Sequence, residues 1–543
     1  MPPLMKSTIR TTTSPLRRPA RDGDVRLPVP IVDLFAGPGG LGEGFSSVSV
    51  SGKSFFRLKL SVEKEVSAHQ TLELRSFFRQ FPPAEVPQDY YRFLRGEIDR
   101  KKLFARYPTQ SLAARLEAWC AELGSEALSA QQLDARIRAA IGGHSNWVLI
   151  GGPPCQAYSV AGRSRNKHVS ARKMDADPRH FLYREYLRVL GTHWPAVFVM
   201  ENVTGILSSK VQGQPIFDRI LQDLQNPREA LSTPQVGHAG YEGYRIYSLV
   251  QESQGFDIFG LPNHNPGAYV IESERYGIPQ ARHRVILLGV RHDIPTSPPL
   301  LTPAKSPVTA RHVLEGLPRL RSGLSHAIDS REEWLAVIRE SPQEPWFDEV
   351  RKKAGADVLH LLIKTAQHLR APLHDRGGEF VPHRATSLYW GDWYLDDRIQ
   401  GVCNSTTRAH VTEDVYRYLY AACYATVHRK SPRLSDFPET LYPDHRNISE
   451  SLGHNNFADR FRVQLKDEPS TTVVSHIAKD GHYYIHYDPT QCRSLTVREA
   501  ARLQTFPDNY FFCGNRTAQY TQVGNAVPPL LAKQIAEVVK TFY

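Results

Sequence analysis

The feature that most constrains the fold is an apolar run that breaks into a glycine-rich turn. The run contains Val29, Ile31, Val32, Leu34 and Phe35, and the turn is Gly37-Pro38-Gly39-Gly40. A buried strand, a glycine turn and a helix, in that order, open a doubly wound α/β sheet. Glycines there let the backbone approach a nucleotide-like ligand, to which the helix offers free N–H groups. A tight turn with a purely structural role is the alternative.

Similar apolar runs recur along the next 250 or so residues, each beside a turn and a helical stretch. They lie at residues 58–62, 147–150, 196–200 and 285–290. This alternation predicts an α/β fold class with a mostly parallel sheet. The run at 58–62 ends in Glu63, whose carboxylate is suited to accept hydrogen bonds from ribose hydroxyls. An ordinary solvated glutamate is the alternative for Glu63.

The chain is predicted to form one sheet domain that a second domain interrupts. Residues 28–291 contain the strand patterns, with a helical insertion at about 64–146, and residues 471–543 complete this domain with an amphipathic helix at 529–542. Residues 292–470 are punctuated by prolines and mixed in period, and they form the second domain. Residues 1–27 carry six basic residues and no apolar segment, which predicts a disordered basic tail, with a transit peptide as the alternative.

Composition excludes several classes of protein. No apolar run approaches the roughly 18 residues that a membrane span requires. The six cysteines form no CxxC pair, so neither a zinc site nor a disulfide scaffold is indicated, and scattered thiols are typical of a reducing cytoplasm. The net charge of +11 favours a polyanionic partner such as nucleic acid.

The sharpest chemical feature is a loop that presents one cysteine. Gly-Gly-Pro-Pro-Cys-Gln-Ala-Tyr-Ser at 151–159 directly follows the apolar run at 147–150. Two prolines stiffen this loop and hold Cys155 at the carboxyl end of a strand, where ligands bind in such sheets. A thiolate is a strong nucleophile. A small buried hydrophobic role is the alternative for Cys155, although a Pro-Pro-Cys loop is poorly suited to a core.

Five segments occur in an order that resembles the DNA cytosine-5 methyltransferase family in its unpermuted arrangement. They are residues 33–45, residues 151–159, Glu201-Asn202-Val203, Gln280-Ala281-Arg282-His283-Arg284 and Gln522-Val523-Gly524-Asn525-Ala526-Val527-Pro528-Pro529. The resemblance implies a Rossmann-like S-adenosylmethionine-dependent methyltransferase sheet. It also implies that the unmatched residues 292–470 are a mixed target-recognition domain.

The resemblance implies four catalytic residues. Cys155 attacks carbon 6 of cytosine, which activates carbon 5 for the methyl group, and Glu201 is the acid that stabilises ring nitrogen 3. Arg284 reaches the cytosine carbonyl oxygen, and Arg282 supports the catalytic loop. From the residues alone, Glu201 follows the strand at 196–200 as an ordinary exposed glutamate. The two arginines, which alternate to one face just before the strand at 285–289, form a basic strand end.

The resemblance also implies a pocket for S-adenosyl-L-methionine, with S-adenosyl-L-homocysteine as product and no metal. The residues carried over are Phe35, Gly37, Gly39, Glu63, Pro153, Leu182 and Asn525. Glu97-Ile98 and Asp134 are weak candidates for a contact with the adenine amino group. A further matching stretch, 493–499 with 502–508, is expected to be structural, with Ser494 or Thr496 capping a helix that carries Glu499.

The expected partner is double-stranded DNA, with the target cytosine flipped into a cleft between the two domains. The basic residues after the cysteine loop are candidate phosphate contacts or a solvated charge run: Arg163, Arg165, Lys167, Arg172 and Lys173. We expect a cytoplasmic, nucleoid-associated monomer of a bacterial restriction-modification or phage-defence system, with possible partner proteins of that system. A tRNA cytosine-5 methyltransferase and a catalytically inactive DNA-binding homologue are the alternatives.

Overall fold

A twisted eight-stranded sheet forms the centre of the molecule. The computed structural model describes residues 28–154, 179–211, 214–231, 243–252, 255, 265–384, 389–443 and 459–543. The strands of the large sheet are β1 Val29–Leu34, β2 Phe56–Glu63, β3 Ala118–Cys120, β4 Val148–Gly151, β5 Val197–Val203, β6 Tyr244–Tyr247, β7 Val270–Glu272 and β8 His283–Arg291.

The strand order is β6-β8-β5-β4-β1-β2-β3, and β7 also pairs with β8. The five strands β3, β2, β1, β4 and β5 are parallel to one another, whereas β8 runs antiparallel to β5, β6 and β7. From β1 the chain adds β2 and β3 on one side of the sheet and then β4 and β5 on the other side. This change of side creates a crevice outside the carboxyl ends of the strands, where ligands bind in this fold. The predicted α/β class with a mostly parallel sheet is therefore confirmed.

Helices pack on both faces of the sheet and in the region that follows it. They are α1 Gly40–Ser46, α2 Val66–Arg79, α3 Gln88–Leu94, α4 Arg100–Arg106, α5 Pro108–Glu117, α6 Ala130–Ile141, α7 Arg179–His193, α8 Phe217–Gln225, α9 Pro227–Ala230, α10 Ala310–Leu314, α11 Arg331–Glu340, α12 Pro345–Ala354, α13 Ala356–His368, α14 Gly391–Tyr394, α15 Thr412–His428, α16 Val497–Leu503, α17 Arg516–Asn525 and α18 Pro529–Lys540. None of the described helices combines the length and apolar character needed to cross a bilayer.

Two hydrophobic clusters cover the two faces of the sheet, because successive side chains of a strand point to opposite faces. On β1, Val29 and Ile31 pack in the cluster that includes α1 and α18. Val32 and Leu34 pack in the other cluster, which includes α6, α7 and α8. Helices α1 and α18 lie so close that a Cβ on Gly44 would come within 2.4 Å of the Ala532 Cβ. The C-terminal helix thus holds the glycine turn against the sheet.

Short paired strands and 3₁₀ turns connect the remaining elements. The strand pairs are Ser49–Val50 with Lys53–Ser54, Lys210–Val211 with Gln214–Pro215, Gln280–Ala281 with Ser470–Thr471, Gly323–Leu324 with Ala409–His410, and Phe380–Pro382 with Gly401–Cys403. The 3₁₀ helices are Pro83–Glu85, Thr204–Ser208, Pro266–Tyr269, Ser273–Tyr276, Ser341–Gln343, Asp397–Ile399, Leu434–Asp436, Glu439–Leu441, Ser475–Ala478 and His482–Tyr484.

The region after the sheet has its own hydrophobic cluster, which contains Trp334, Leu362 and Leu419. Ile485 and Cys492, which follow residue 470 in the sequence, pack in the same cluster. The predicted domain boundaries, 1–27, 28–291, 292–470 and 471–543, stay predictions, and residues 1–27 lie outside the described residues.

Candidate active site

The glycine turn and Glu63 meet at the carboxyl ends of β1 and β2. The Gly37 N–H donates to Glu63 Oε2 at 2.8 Å, and the Glu65 N–H donates to Glu63 Oε1 at 2.8 Å. Burial raises the pKa of Glu63, and these backbone donors oppose the rise. Each carboxylate oxygen keeps a lone pair for a further donor. The turn therefore fixes the orientation of the Glu63 carboxylate, and its role in binding a ligand stays a prediction.

Space for such a ligand lies beside Gly37. This residue is in the left-handed region at φ 57°, and a Cβ placed on it would meet no atom within 4 Å. Phe35, two residues earlier, is half-buried and also has a positive φ of 58°. At Gly39, by contrast, a Cβ would lie 2.7 Å from the Leu72 side chain. Gly37 thus borders open space and Gly39 permits close packing, an arrangement that fits a nucleoside-bearing cofactor.

The other predicted cofactor residues are spread over three further segments. Pro153 is buried in the loop after β4. Leu182 is half-buried on α7, and its Cδ2 would lie 3.3 Å from a Cβ on Gly124, in the loop after β3. Asn525 is exposed at the last residue of α17. Their roles in binding the cofactor stay predictions.

Asp134 and Glu97 are engaged in ion pairs, the first largely buried between two helices and the second exposed. Asp134 Oδ1 pairs with Arg188 at 2.7 Å and with His193 at 2.8 Å, between α6 and α7. Glu97 pairs with Arg92 at 3.2 Å and with Arg95 at 2.5 Å. Ile98 is buried in the helical insertion. The ion pairs give Asp134 and Glu97 structural partners, and a contact of any of the three residues with the adenine amino group stays a prediction.

Glu201 on β5 and Arg284 on β8 form a shielded ion pair between two neighbouring strands. Glu201 Oε1 lies 2.9 Å from Arg284 Nε, and the side chains are 14% and 13% exposed. Burial lowers the pKa of Arg284, and the Glu201 carboxylate opposes this. A Cβ on Gly152 would lie 3.0 Å from Glu201 Oε2. The carboxylate therefore reaches the start of the loop that carries the cysteine.

Glu201 lies inside β5, and the prediction that it follows the strand is wrong. Pairing with antiparallel β8 extends β5 to Val203, with Glu201 opposite Ile286 and Val203 opposite Arg284. The neighbouring side chain of Asn202 is buried, and its Nδ2 donates to the Pro153 carbonyl at 3.3 Å. Pairing with β8 thus fixes Glu201, and Asn202 fixes the loop beside it.

Cys155 lies outside the described residues, as do Arg163, Arg165, Lys167, Arg172 and Lys173. The described part of the loop ends at Pro154, immediately before the cysteine. The arrangement of Cys155 relative to Glu201 stays a prediction.

Arg282 bonds the segments of Val473 and Gly524, and its expected alternation to one face with Arg284 stays a prediction. Arg282 precedes β8 in a tight turn, in which its N–H donates to the Gln280 carbonyl at 2.9 Å. Its Nη1 donates to the carbonyls of Val473 at 2.8 Å and Gly524 at 3.3 Å. Burial, followed by the charge of Arg284, lowers the pKa of Arg282. Arg282 therefore joins the start of β8 to the turn that carries Asn525.

Three buried polar side chains near these residues were missed from the sequence. Neither carboxylate oxygen of Asp33 has a hydrogen-bond partner among the described residues, and burial raises its pKa well above the ordinary range. Gln280 and Gln504 are fully buried and hydrogen-bonded to each other. An aspartate inside the apolar run at 29–35 was a visible signal. Both glutamines lie in stretches that match the family, but nothing in the sequence indicated that they contact each other. In the same described ranges, no group of three or more His, Cys, Asp or Glu side chains could hold a metal ion.

Comparison with known proteins gives consistent matches. The model of the family described as C-5 cytosine-specific DNA methylase matches residues 134–227 and 253–541. The chain is 33% identical over 529 residues to the type II methyltransferase M.Bpa9945I of Bacillus paralicheniformis, covering 94% of this chain and 98% of the relative. It is 25% identical over 522 residues to the type II methyltransferase M.AgeI of Thalassovita gelatinovora, covering 94% and 98%. It is 26% identical over 416 residues to the DNA (cytosine-5-)-methyltransferase M.ApeKI of Aeropyrum pernix, covering 72% and 80%.

Proposed function

The chain belongs to the C-5 cytosine-specific DNA methylase family and is a DNA (cytosine-5-)-methyltransferase, and from that premise we propose that Cys155 attacks carbon 6 of a cytosine flipped out of a specific duplex sequence. The new sulfur–carbon bond places electron density on carbon 5, which would then take the methyl group from the sulfonium of the bound donor as the sulfonium–methyl bond breaks and S-adenosyl-L-homocysteine leaves. A base removes the carbon 5 proton, the ring electrons return, and the thiolate leaves. The observation that best supports this proposal is the shielded Glu201–Arg284 pair at 2.9 Å beside the loop that leads to Cys155.

In this scheme the two charged groups act on neighbouring atoms along one edge of the ring. Attack at carbon 6 makes ring nitrogen 3 more basic, and Glu201 supplies a proton there as general acid. Arg284 donates to the carbonyl oxygen on carbon 2, where negative charge develops. Both groups act in a site that is mostly screened from water, which strengthens their electrostatic effect. Arg282 holds the strand from which Arg284 projects.

S-Adenosyl-L-methionine, the methyl donor that the family uses, supplies an electrophilic methyl group on a sulfonium. The residues that would hold it are Phe35, Gly37, Gly39, Glu63, Pro153, Leu182 and Asn525. Glu63 is oriented to accept from the ribose hydroxyls, and the open space beside Gly37 admits the chain that bears the sulfonium. A pocket with a carboxylate and aromatic contacts suits a cation better than a phosphate cradle does.

The substrate of the scheme is duplex DNA. A thiol cannot reach the face of a stacked base, so the target nucleotide must leave the helix. Residues 292–470 are proposed to read the sequence, with phosphate contacts from both sides of the cleft. Two of the relatives are named type II methyltransferases, which supports a role in a restriction-modification system, and we extend the proposal to phage defence.

The proposal is tested by expressing the chain in a bacterial host that lacks cytosine methylation and sequencing the host DNA and tRNA after bisulfite treatment. We expect protected cytosines at one recurring duplex sequence and none in tRNA. Protection confined to tRNA would instead favour the RNA-directed alternative. Folded protein with no protection in either pool would identify an inactive homologue.

Changing Glu201 to glutamine is expected to lower kcat by roughly 10²–10³-fold. The amide keeps the shape and one acceptor of the carboxyl group but cannot transfer a proton to the ring. Binding of the cofactor should change little, since Glu201 lies on β5 and the glycine turn follows β1. Single-turnover methylation of a duplex that carries the mapped target is the measurement.

The matched control is Glu274→Gln. Glu274 lies on the 3₁₀ helix Ser273–Tyr276, and its Oε1 bonds the exposed side chain of His283 at 2.8 Å. This variant should retain the rate of the unmodified enzyme. A Glu201→Gln enzyme that stays within threefold of that rate would remove Glu201 from the mechanism.

A further inference from the structure

We propose that Gln504 is a positioning residue that, together with Gln280, holds the strand of Arg284 and the turn of Asn525 in one rigid unit. The inference rests on the proposed function, because Arg284 and Asn525 receive their roles there. Both glutamine side chains are fully buried.

Gln504 is aimed at the turn by the end of α16. This helix ends at Leu503, Gln504 is its C-cap, and Thr505 then takes a left-handed conformation at φ 63°. A positive φ is costly for a β-branched residue. The Thr505 hydroxyl accepts from the Leu530 N–H at 3.1 Å, at the start of α18, and its carbonyl accepts from Trp393 Nε1 at 2.8 Å. Neighbouring elements therefore hold the strained residue that orients Gln504.

The side-chain amide of Gln504 joins two elements. Its Nε2 donates to the Val523 carbonyl at 2.7 Å and to the Ala526 carbonyl at 3.3 Å, on either side of Gly524-Asn525. Its Oε1 accepts from Gln280 Nε2 at 3.0 Å. Both donors and one acceptor site of the amide are thus used.

Gln280 extends these hydrogen bonds to the strand side. Its Nε2 also donates to the Leu503 carbonyl at 3.2 Å, and its Oε1 accepts from the Val473 N–H at 2.6 Å. Its own carbonyl accepts from the Ser273 hydroxyl at 2.7 Å. Gln280 lies two residues before Arg282 and four before Arg284. Its hydrogen bonds therefore fix the backbone from which both arginines project.

Arg282 closes the ring. Its guanidinium donates to the carbonyls of Val473 and Gly524, so the path from Gln280 returns to the turn that Gln504 holds. Gly524 packs closely against the segment that follows Val473, because a Cβ on Gly524 would lie 2.3 Å from the Ser475 nitrogen. A buried polar network whose members are hydrogen-bonded rigidifies the core around it. Displacing the turn of Asn525 therefore requires displacing the arginine strand.

The experiment compares Gln504→Met with Gln519→Met in the full-length enzyme. Methionine has a similar length and no amide, so Gln504→Met removes the bonds to Val523 and Ala526. Gln519, on α17, is a buried glutamine as Gln504 is. Its Nε2 donates to the Gly514 carbonyl at 2.9 Å, at the end of α17 opposite to Asn525. Steady-state methylation of the mapped duplex, with S-adenosylmethionine varied, gives KM and kcat separately.

Loss of the two hydrogen bonds to the turn of Asn525, together with the one from Gln280, should raise the KM for S-adenosylmethionine about tenfold in Gln504→Met. Loss of folded protein alone lowers kcat and leaves KM unchanged, so Gln519→Met is expected to keep the wild-type KM. If Gln504→Met does not fold, Gln280→Met breaks the same ring from the strand side and is measured in its place. Equal KM values for the ring variant and the Gln519 variant would overturn the inference. Absence of methylation by the wild-type enzyme would instead refute the proposed function.

Discussion

A Cys155→Ala enzyme is expected to lose methyl transfer by about 10⁴-fold or more, the scale on which removal of a catalytic nucleophile acts. Without the sulfur, carbon 5 of cytosine remains a weak nucleophile, and neither Glu201 nor Arg284 can activate the ring alone. Binding of the cofactor should stay within threefold of wild type, because the described residues proposed to hold it lie largely on other segments. Transfer of a labelled methyl group to a duplex and equilibrium binding of S-adenosylhomocysteine measure the two quantities.

A duplex with 5-fluorocytosine at the target gives an independent readout of the same step. Fluorine at carbon 5 cannot be removed as a proton, so the sulfur–carbon bond persists after methyl transfer. We expect wild-type enzyme to form a complex that survives denaturing electrophoresis, and Cys155→Ala to form none.

Cys120 provides the matched control for the thiol, because it is an exposed free cysteine. Partial desolvation, followed by the charge of Glu63, raises the pKa of Cys120, which disfavours its thiolate. Cys120→Ala should therefore trap the duplex as wild type does. Trapping that depended on Cys120 and not on Cys155 would refute the assignment of the nucleophile.

Strands with long apolar runs were predictable from the sequence, and short strands with polar residues were not. Runs such as 147–150 and 285–290 are buried on both faces, so their composition alone identified β4 and β8. The strand β3 has three residues, and β6 alternates buried and half-buried residues at the sheet edge. Neither gives a pattern that separates it from loop sequence.

The candidate site divides in the same way. Gly37 and Glu63 stand at the ends of recognisable strands, and the hydrogen bond between them follows from the parallel register of β1 and β2. The orientation of Arg282 depends on Val473 and Gly524, which are 191 and 242 residues away in the sequence. Contacts at such separation leave no local periodicity, so the sequence showed an arginine but not what it binds.

The segment before α16 illustrates a prediction that local chemistry could carry. Thr496 was one of two candidate caps for a helix containing Glu499. The structure has Thr496 as the N-cap, with its hydroxyl accepting from the Glu499 N–H at 3.2 Å and Glu499 Oε2 accepting from the Thr496 N–H at 2.7 Å. What the motif did not reveal is that the same carboxylate also binds a buried arginine.

Arg493→Met is expected to destabilise the fold by about 3–5 kcal/mol, because it leaves the Glu499 carboxylate buried without its partner. Arg493 and Glu499 are 1% and 3% exposed, and two parallel hydrogen bonds of 2.7 Å join them. Burial by itself would raise the pKa of Glu499, but the charge and hydrogen bonds of Arg493 outweigh it and lower this pKa to about 2. The midpoint of urea unfolding, with the slope unchanged, measures the loss.

The effect of the pair on stability should depend on pH in a defined window. The carboxyl group of an unfolded glutamate titrates near pH 4.3, above the value in the folded protein. A lowered pKa means that the folded state holds its proton less tightly, so the contribution to stability is full above about pH 4.3 and falls as the pH approaches 2. As the pH falls between these values, the difference in the free energy of unfolding between wild type and Glu499→Gln should narrow.

Two further variants separate the buried pair from surface charge. Arg92 is 41% exposed and pairs with Asp89 and Glu97. Arg92→Met should therefore lower the free energy of unfolding by less than about 1 kcal/mol. The double variant Arg493→Met with Glu499→Met should recover much of the loss, because no buried charge then lacks a partner. A single Arg493→Met variant as stable as Arg92→Met would show that water or another donor replaces the guanidinium. In that case the packing of α16, and not the Arg493–Glu499 pair, would hold the segment that carries Gln504 in place.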